Sequence, residues 1–295
     1  MQTPTALLGL GIMGSRLAAR LLGAGVPLAV WNRDPAKTAA LVGEGATVAE
    51  SPAGAVAGRR FAVLALADGA AVEEVLWERG AAAALDRGSI VIDISSIPAP
   101  AARRHAERLA ERGVAYLDAP VSGGSRGAEA GELTIMVGGD RGAFREAGPL
   151  LAPLGRATHL GASGAGQVAK AANQMIVGVT IAAVAEAFTL AEAAGVSAER
   201  VREALLGGFA DSRILREHGR RMIEDDFTPG ARVATQVKDL RTAEALADEV
   251  GAQTPVAAAA TELFVAHLER AGPDLDHASV VAELRRRARG RPAGP

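Results

Sequence analysis

One lysine stands in a setting suited to acid–base chemistry: Gly164-Ala165-Gly166-Gln167-Val168-Ala169-Lys170-Ala171-Ala172-Asn173-Gln174. The glycines open a long apolar stretch with helical character, and Lys170 falls in its first turns. Asn173 and Gln174 follow three and four residues later, which puts them on the lysine's face of a helix. An ammonium beside two carboxamides can grip a small oxygen-rich molecule and give it a proton. Lysine is protonated at neutral pH, its ordinary pKa being about 10.4. It therefore suits stabilising negative charge that develops on a carbonyl oxygen.

A second chemical motif opens the chain. Gly9-Leu10-Gly11-Ile12-Met13-Gly14 follows a short apolar run and precedes a helical pattern. In that strand–turn–helix context, Gly9, Gly11, Ile12, Met13 and Gly14 are expected to cradle the pyrophosphate of a dinucleotide at a helix N-terminus. The next strand ends at Asn32-Arg33-Asp34. A carboxylate at its tip would accept from a ribose 2′-hydroxyl. Asn32 and the Arg33 guanidinium instead suit a 2′-phosphate, so NADPH is preferred and NADH is the alternative, through Asp34. Two further loops leave carboxyl ends of strands, where ligands sit in open α/β sheets. They are Leu66-Ala67-Asp68 and Asp93-Ile94-Ser95-Ser96-Ile97-Pro98. Leu66, Ala67, Asp68 and Ser96 are expected cofactor contacts.

A third polar loop is Asp118-Ala119-Pro120-Val121-Ser122-Gly123-Gly124. Ser122 offers a hydroxyl, and Gly123 and Gly124 expose backbone N–H groups. Such a nest fits a carboxylate. Arg126 just beyond it adds positive charge at the rim.

The elements that must position these groups follow from periodicity. Strands are expected at 5–9, 28–32, 61–66, 89–94, 115–118 and 133–138, with another ending near His159 and Leu160. Helices fit 14–22, 35–42, 71–78 and 100–112. This alternation implies βαβ units and a doubly wound, mostly parallel sheet. From Gly164 onward the pattern is helical only, at 164–194, 200–206, 213–224, 233–250, 255–271 and 279–289. The expected domains are a dinucleotide-binding Rossmann domain at 1–162 and an all-helical domain at 163–295, linked by the long helix that begins at Gly164. That helix is apolar nearly all round, so it is expected to be covered on several sides.

Composition excludes several classes. The 295 residues carry a formal net charge of −2, with 49% hydrophobic residues and 3% aromatics. That balance gives no basic surface for nucleic acid or anionic lipid. No cysteine is present, which removes thiolate catalysis and zinc–thiolate sites. The five histidines (His105, His159, His218, His267 and His277) show no metal-ligand spacing, and no metal is expected. Gly161-Ala162-Ser163-Gly164-Ala165 is not a nucleophile elbow. The longest apolar run, 175–185, is short for a bilayer span, and a cytoplasmic location is expected. The arginines Arg285, Arg286, Arg287, Arg289 and Arg291 are expected to form a solvated helix end and tail.

Jointly, segments 9–14, 93–98, 118–124 and 164–174, with Val237-Lys238-Asp239-Leu240, resemble the β-hydroxyacid dehydrogenase family, related to 3-hydroxyisobutyrate dehydrogenase. They occur in the family's order and span most of the chain. Segments 207–215 and 276–279 resemble its tartronate semialdehyde reductase branch (2-hydroxy-3-oxopropionate reductases). The resemblance implies that Lys170 is the catalytic acid/base and that Asn173 orients the substrate hydroxyl. It implies that Ser122, Gly123 and Gly124 hold a carboxylate and that Ser96 lies by the nicotinamide or substrate. Lys238 would close over cofactor and substrate. It further implies a homodimer or homotetramer. Ser96 stands where many members have threonine, and Ala231 and Ala234-Thr235-Gln236 replace an aromatic and a histidine-bearing segment, which bears on substrate size. The expected reaction is NADPH-dependent reduction of a short aldehyde acid, tartronate semialdehyde to glycerate. The alternatives are a 3-hydroxyisobutyrate dehydrogenase, a glyoxylate or succinic semialdehyde reductase, or a non-catalytic NADPH-binding module on the same fold. The intact Lys170–Asn173 pair argues against the last.

Overall fold

The computed structural model describes residues 3–289. The chain divides into two compact units, Met1–Lys170 and Ala171–Pro295.

The first unit is a nine-stranded, mostly parallel sheet. Its strands are β1 (Thr5–Leu8), β2 (Leu28–Trp31), β3 (Thr47–Val48), β4 (Phe61–Leu64), β5 (Ile90–Asp93), β6 (Ala115–Asp118), β7 (Val121–Ser122), β8 (Leu133–Gly139) and β9 (Gly155–Gly161). They lie in the order β3-β2-β1-β4-β5-β6-β8-β7, and β9 pairs with β8. All pairs are parallel except β6 with β8 and β7 with β8. β1, β2, β4 and β5 are short, buried, mostly aliphatic runs because helices cover both faces of the sheet, whereas β3 is an exposed two-residue edge strand. Alternate residues divide between two cores. Leu7, Val30, Val63 and Ile92 belong to one, and Leu8, Leu64, Val72 and Val91 to the other. The chain leaves β1 for β2 on one side, and later strands build on the other side from β4. This reversal opens a crevice at the carboxyl ends of β1 and β4.

The doubly wound sheet expected from sequence is present, with differences of detail. The helix expected at 71–78 is an α-turn at Gly69–Glu73 followed by a π-turn at Glu74–Glu78. Helices at Pro52–Val56, Ala81–Ala84, Gly124–Ala130 and Arg141–Leu151 were not legible. They are short or rich in alanine, glycine and proline, so their apolar period is weak.

The second unit is helical. Its elements are the continuation of helix Ala165–Ala193, then Ala198–Leu205, Arg213–Glu224, Val233–Val250, Pro255–Ala271, a 3-10 turn at His277–Ser279 and Val280–Arg289. Ile181, Ala185, Phe188, Leu215, Met222, Val237, Leu240, Phe264 and Val281 form its core. The division between units falls eight residues later than the sequence placed it. The first turns of the lysine helix pack on the sheet: a Cβ added to Gly166 would collide with the carbonyls of Asp118 and Met136.

Two sequence expectations change. The apolar run at 175–185 belongs to a helix of 29 residues, long and apolar enough to cross a membrane by length and composition, with one third of its most apolar window buried. The C-terminal arginines are not simply solvated. Arg285 pairs with Glu192 at 2.6 Å and Asp225 at 3.0 Å, and Arg286 and Arg287 converge on the buried Glu283 carboxylate. Arg291 lies outside the described residues.

Candidate active site

The dinucleotide turn is built as its glycines require. Gly9 has φ +100°, and a Cβ there would lie 2.5 Å from the Ala65 carbonyl. A Cβ on Gly14 would collide with the Gly9 carbonyl, so only glycine lets helix Ile12–Gly23 start this close to β1. Gly11 is the N-cap, and no side chain caps the helix. A Cβ on Gly11 would have no heavy atom within 4 Å. The first-turn N–H groups, those of Ile12 and Met13 among them, have no side-chain cap and lie at a positive helix end. These residues fit a dinucleotide pyrophosphate.

Asn32 shapes that turn from below. Its Oδ1 accepts from Leu10 N at 2.8 Å, and its Nδ2 donates to the Asp34 carbonyl at 2.8 Å. Its amide is therefore a brace for the glycine turn. Asp34 accepts from Ala36 N as an N-cap, which commits one carboxylate oxygen to the chain. Arg33 is exposed, its side chain 77% accessible and 3.8 Å from Glu74. A pair that open and that long leaves the guanidinium able to turn to a phosphate.

The loops after β4 and β5 are tied together. Ser95 Oγ accepts from Leu66 N at 3.0 Å, and Ser95 N donates to Asp93 Oδ1 at 2.9 Å. Ala67 is exposed, and Asp68 caps helix Gly69–Glu73 through Ala71 N. Ser96 is half-buried beside Ser95. Gln167, buried on the lysine helix, locks this loop to that helix. Its Nε2 donates to the Ser95 carbonyl at 2.8 Å and its Oε1 accepts from Ile97 N at 3.2 Å.

Lys170 comes to the third loop. Its Nζ donates to the Val121 carbonyl at 2.9 Å, next to Ser122. Gly123, at φ +132°, turns the chain into helix Gly124–Ala130. Asp118 anchors the lysine helix from the end of β6, accepting from Gly164 N at 2.8 Å and Gln167 N at 3.0 Å. The first unit therefore gathers Lys170, Ser122, Gly123 and Gly124.

Burial governs the acids beneath these loops. Desolvation raises Asp93 to about 6, against hydrogen bonds from Ser95 and Tyr116. Tyr116 Oη donates to Asp93 Oδ2 at 2.7 Å, and burial pushes its phenol well above the ordinary range. Burial also raises Asp118, while donated N–H groups oppose the shift.

In the helical unit, Asn173 Nδ2 donates to Gln174 Oε1 at 2.7 Å, and Gln174 Nε2 donates to Asp239 Oδ2 at 2.6 Å. Lys238 Nζ lies 3.1 Å from Asp239 Oδ1. Sequence reading assigned no role to Ser95, Gln167 or Asp239, and it read Gln174 as a second carboxamide for a ligand, whereas here its amide bonds Asn173 and Asp239. The available signal for Gln167 was a polar residue in an apolar run one turn before Lys170.

His218, Asp276 and His277 also converge, with potential ligand atoms within 4.8 Å of one another, which linear spacing did not show. Arg221 lies 2.9 Å from Asp276 Oδ2, which also accepts from Gly230 N and Ala231 N, while Oδ1 accepts from Ala278 N. A carboxylate so occupied and next to a guanidinium fits an ion-paired structural hub better than a cation site. Burial and neighbouring His218 hold His277 down at about 3.

A glycine turn at a helix start on a doubly wound sheet, a lysine against the loop at Val121 and Ser122, and a helical second unit describe the class. Residues 5–164 match the NAD-binding domain of 6-phosphogluconate dehydrogenase, and residues 164–284 match the NAD-binding domain of NADP-dependent 3-hydroxyisobutyrate dehydrogenase. A 2-hydroxy-3-oxopropionate reductase of Escherichia coli is 42% identical, over 94% of this chain and 95% of its own. Glyoxylate/succinic semialdehyde reductase 1 of Arabidopsis thaliana is 33% identical, over 94% and 97%. Among solved structures, a Mycobacterium tuberculosis 3-hydroxyisobutyrate dehydrogenase with L-serine superposes at TM-score 0.89, with 33% identity, covering 97% of this chain and 100% of that one. The chain belongs to the β-hydroxyacid dehydrogenase family. It is an NAD(P)-dependent dehydrogenase/reductase.

Proposed function

We propose that this enzyme reduces tartronate semialdehyde to glycerate with NADPH, Lys170 being the proton donor. The observation that carries the catalytic part is the placement of Lys170 Nζ 2.9 Å from the Val121 carbonyl, beside Ser122 and the two glycines. The 42% identity to a 2-hydroxy-3-oxopropionate reductase supports the substrate. Exposed Arg33, with Asp34 engaged as an N-cap, supports NADPH over NADH.

Gly9, Gly11, Ile12, Met13 and Gly14 would hold the pyrophosphate of the cofactor and Arg33 its 2′-phosphate. Leu66, Ala67, Asp68 and Ser96 would border it, and Asn32 would brace the turn. When bound, the reduced nicotinamide supplies a hydride. Ser122 and the N–H groups of Gly123 and Gly124 hold the substrate carboxylate. As the carbonyl carbon gains the hydride pair, the carbon–oxygen π pair moves to oxygen. The Lys170 ammonium stabilises that charge and transfers one proton, leaving a neutral amine and an alcohol. Asn173 orients the substrate hydroxyl, and Lys238 supplies a second cation to cofactor and substrate.

A second reading, a reductase of glyoxylate or succinic semialdehyde, is favoured by the 33% identity to a relative of that name. Initial rates of NADPH and NADH oxidation with tartronate, succinic and methylmalonate semialdehydes and glyoxylate separate the readings. Fast NADPH-preferring turnover of tartronate semialdehyde supports the first. Activity confined to another aldehyde acid overturns the substrate and keeps the mechanism. Self-association is part of the proposal. Ile176 and Leu190, 68% and 72% exposed, lie four turns apart on one helix face, and a second copy of the chain would cover them. Light scattering showing a monomer at working concentration would overturn that element.

A further inference from the structure

The hydrogen bonds of Asn173 have a polarity that a carboxylate dictates. Asp239 is 4% exposed, and its carboxylate oxygens are acceptors. The Gln174 atom 2.6 Å from Asp239 Oδ2 must therefore be the NH2 nitrogen, which settles an orientation that amide shape alone leaves ambiguous. Gln174 then offers Oε1 in the opposite direction, where it accepts from Asn173 Nδ2 at 2.7 Å. Asn173 commits its donor side to Gln174, and its Oδ1 is the group it offers a ligand. The backbone carbonyl of Gln174 is held in turn by Gln236 Nε2 at 3.3 Å. The second oxygen of Asp239 lies 3.1 Å from Lys238 Nζ. One buried carboxylate thus sets both the amide of Asn173 and the ammonium of Lys238.

We infer that Asp239 and Gln174 are positioning residues, a relay that makes Asn173 a hydrogen-bond acceptor for a substrate hydroxyl and fixes Lys238 for the cofactor. This rests on the roles of Asn173 and Lys238 given under the proposed function. An acceptor at this place favours a ligand carrying a hydroxyl. Gln174 acts on Asn173, whereas Asp239 acts on Asn173 through Gln174 and on Lys238 directly.

The test is a kinetic cycle on the full-length enzyme. Gln174→Met, nearly isosteric but without the relay, should lower kcat about 10- to 100-fold, the usual effect of losing an orienting contact, with the KM for NADPH unchanged. Asn173→Ala should lower kcat at least as much. The double variant should be no slower than Asn173→Ala, because the orientation of Asn173 is already lost in that variant. Asp239→Asn should lower kcat and also raise the KM for NADPH. Multiplicative effects of Gln174→Met and Asn173→Ala would overturn the inference, as would an undiminished Gln174→Met enzyme. An undiminished Asn173→Ala enzyme would instead overturn the role given to Asn173 itself. A readout independent of turnover is the side-chain amide NMR signal of Asn173. It should show one proton slow to exchange in the wild type and fast in Gln174→Met; fast exchange of both in the wild type would overturn the relay.

Discussion

Lys170 Nζ donates to the Val121 carbonyl at 2.9 Å, one residue before Ser122. The proposed proton donor and the proposed carboxylate-binding loop come from segments 49 residues apart. They meet because the lysine helix is pinned at its start. Asp118 Oδ1 and Oδ2 take the N–H groups of Gly164 and Gln167, and the Gln167 side chain holds the Ser95–Ile97 loop.

Removing the ammonium should abolish proton delivery while leaving the glycine turn intact. Lys170→Ala is expected to lower kcat by about 10²- to 10⁴-fold, the range for a positioned acid. NADPH affinity, followed by fluorescence titration, should hold within a few-fold. Wild-type turnover in this variant would remove Lys170 from the mechanism.

Cofactor choice tests Arg33. Charge-assisted hydrogen bonds contribute about 1.5–3 kcal/mol, so Arg33→Ala should lower kcat/KM for NADPH about 10- to 100-fold and leave NADH nearly unaffected. Parallel steady-state assays with both cofactors give the ratio. An unchanged ratio would place the 2′-phosphate elsewhere.

Asp118 should matter to stability and to catalysis together. Asp118→Ala leaves two buried N–H groups without their acceptor, at a cost of about 2–4 kcal/mol. Denaturant unfolding should show that loss. The surviving folded enzyme should also turn over more slowly, since the lysine helix loses its anchor. A stable, fully active variant would contradict this account.

The buried Asp93 gives a pH dependence of definite sign. Its folded value of about 6 lies above its ordinary 3.8, so the native state binds a proton more tightly than the unfolded chain. This stabilisation is full below about pH 4 and is lost as pH rises through 6, a change of about 3 kcal/mol at most. Thermal melts from pH 4 to 7 should show Asp93→Asn flattening that part of the wild-type slope. An identical slope in the variant would show that Asp93 does not titrate in this range.

Much of this protein is determined by short-range pattern. Aliphatic runs ending at Leu8, Trp31, Leu64 and Asp93 are strands because both sheet faces are covered, and three of the long helices, such as Val233–Val250, keep the bounds their periodicity implies. Gly9 and Gly14 of the glycine turn were legible because close approach of helix and strand tolerates no side chain at either, while Gly11 leaves open space. Lys170 with Asn173 was legible because one helical turn sets their relation. Contacts made across long sequence separations were not. Nothing in linear order places Gln174 against Asp239, Gln167 against Ser95, or His218 against Asp276 and His277. Nor does it show that Asn32 turns inward to hold Leu10 N, or that Glu283 gathers the C-terminal arginines. Local chemistry fixes which groups a helix or turn can present. The packing of distant segments decides which of them meet, because a buried donor or acceptor must find its partner wherever the fold brings one.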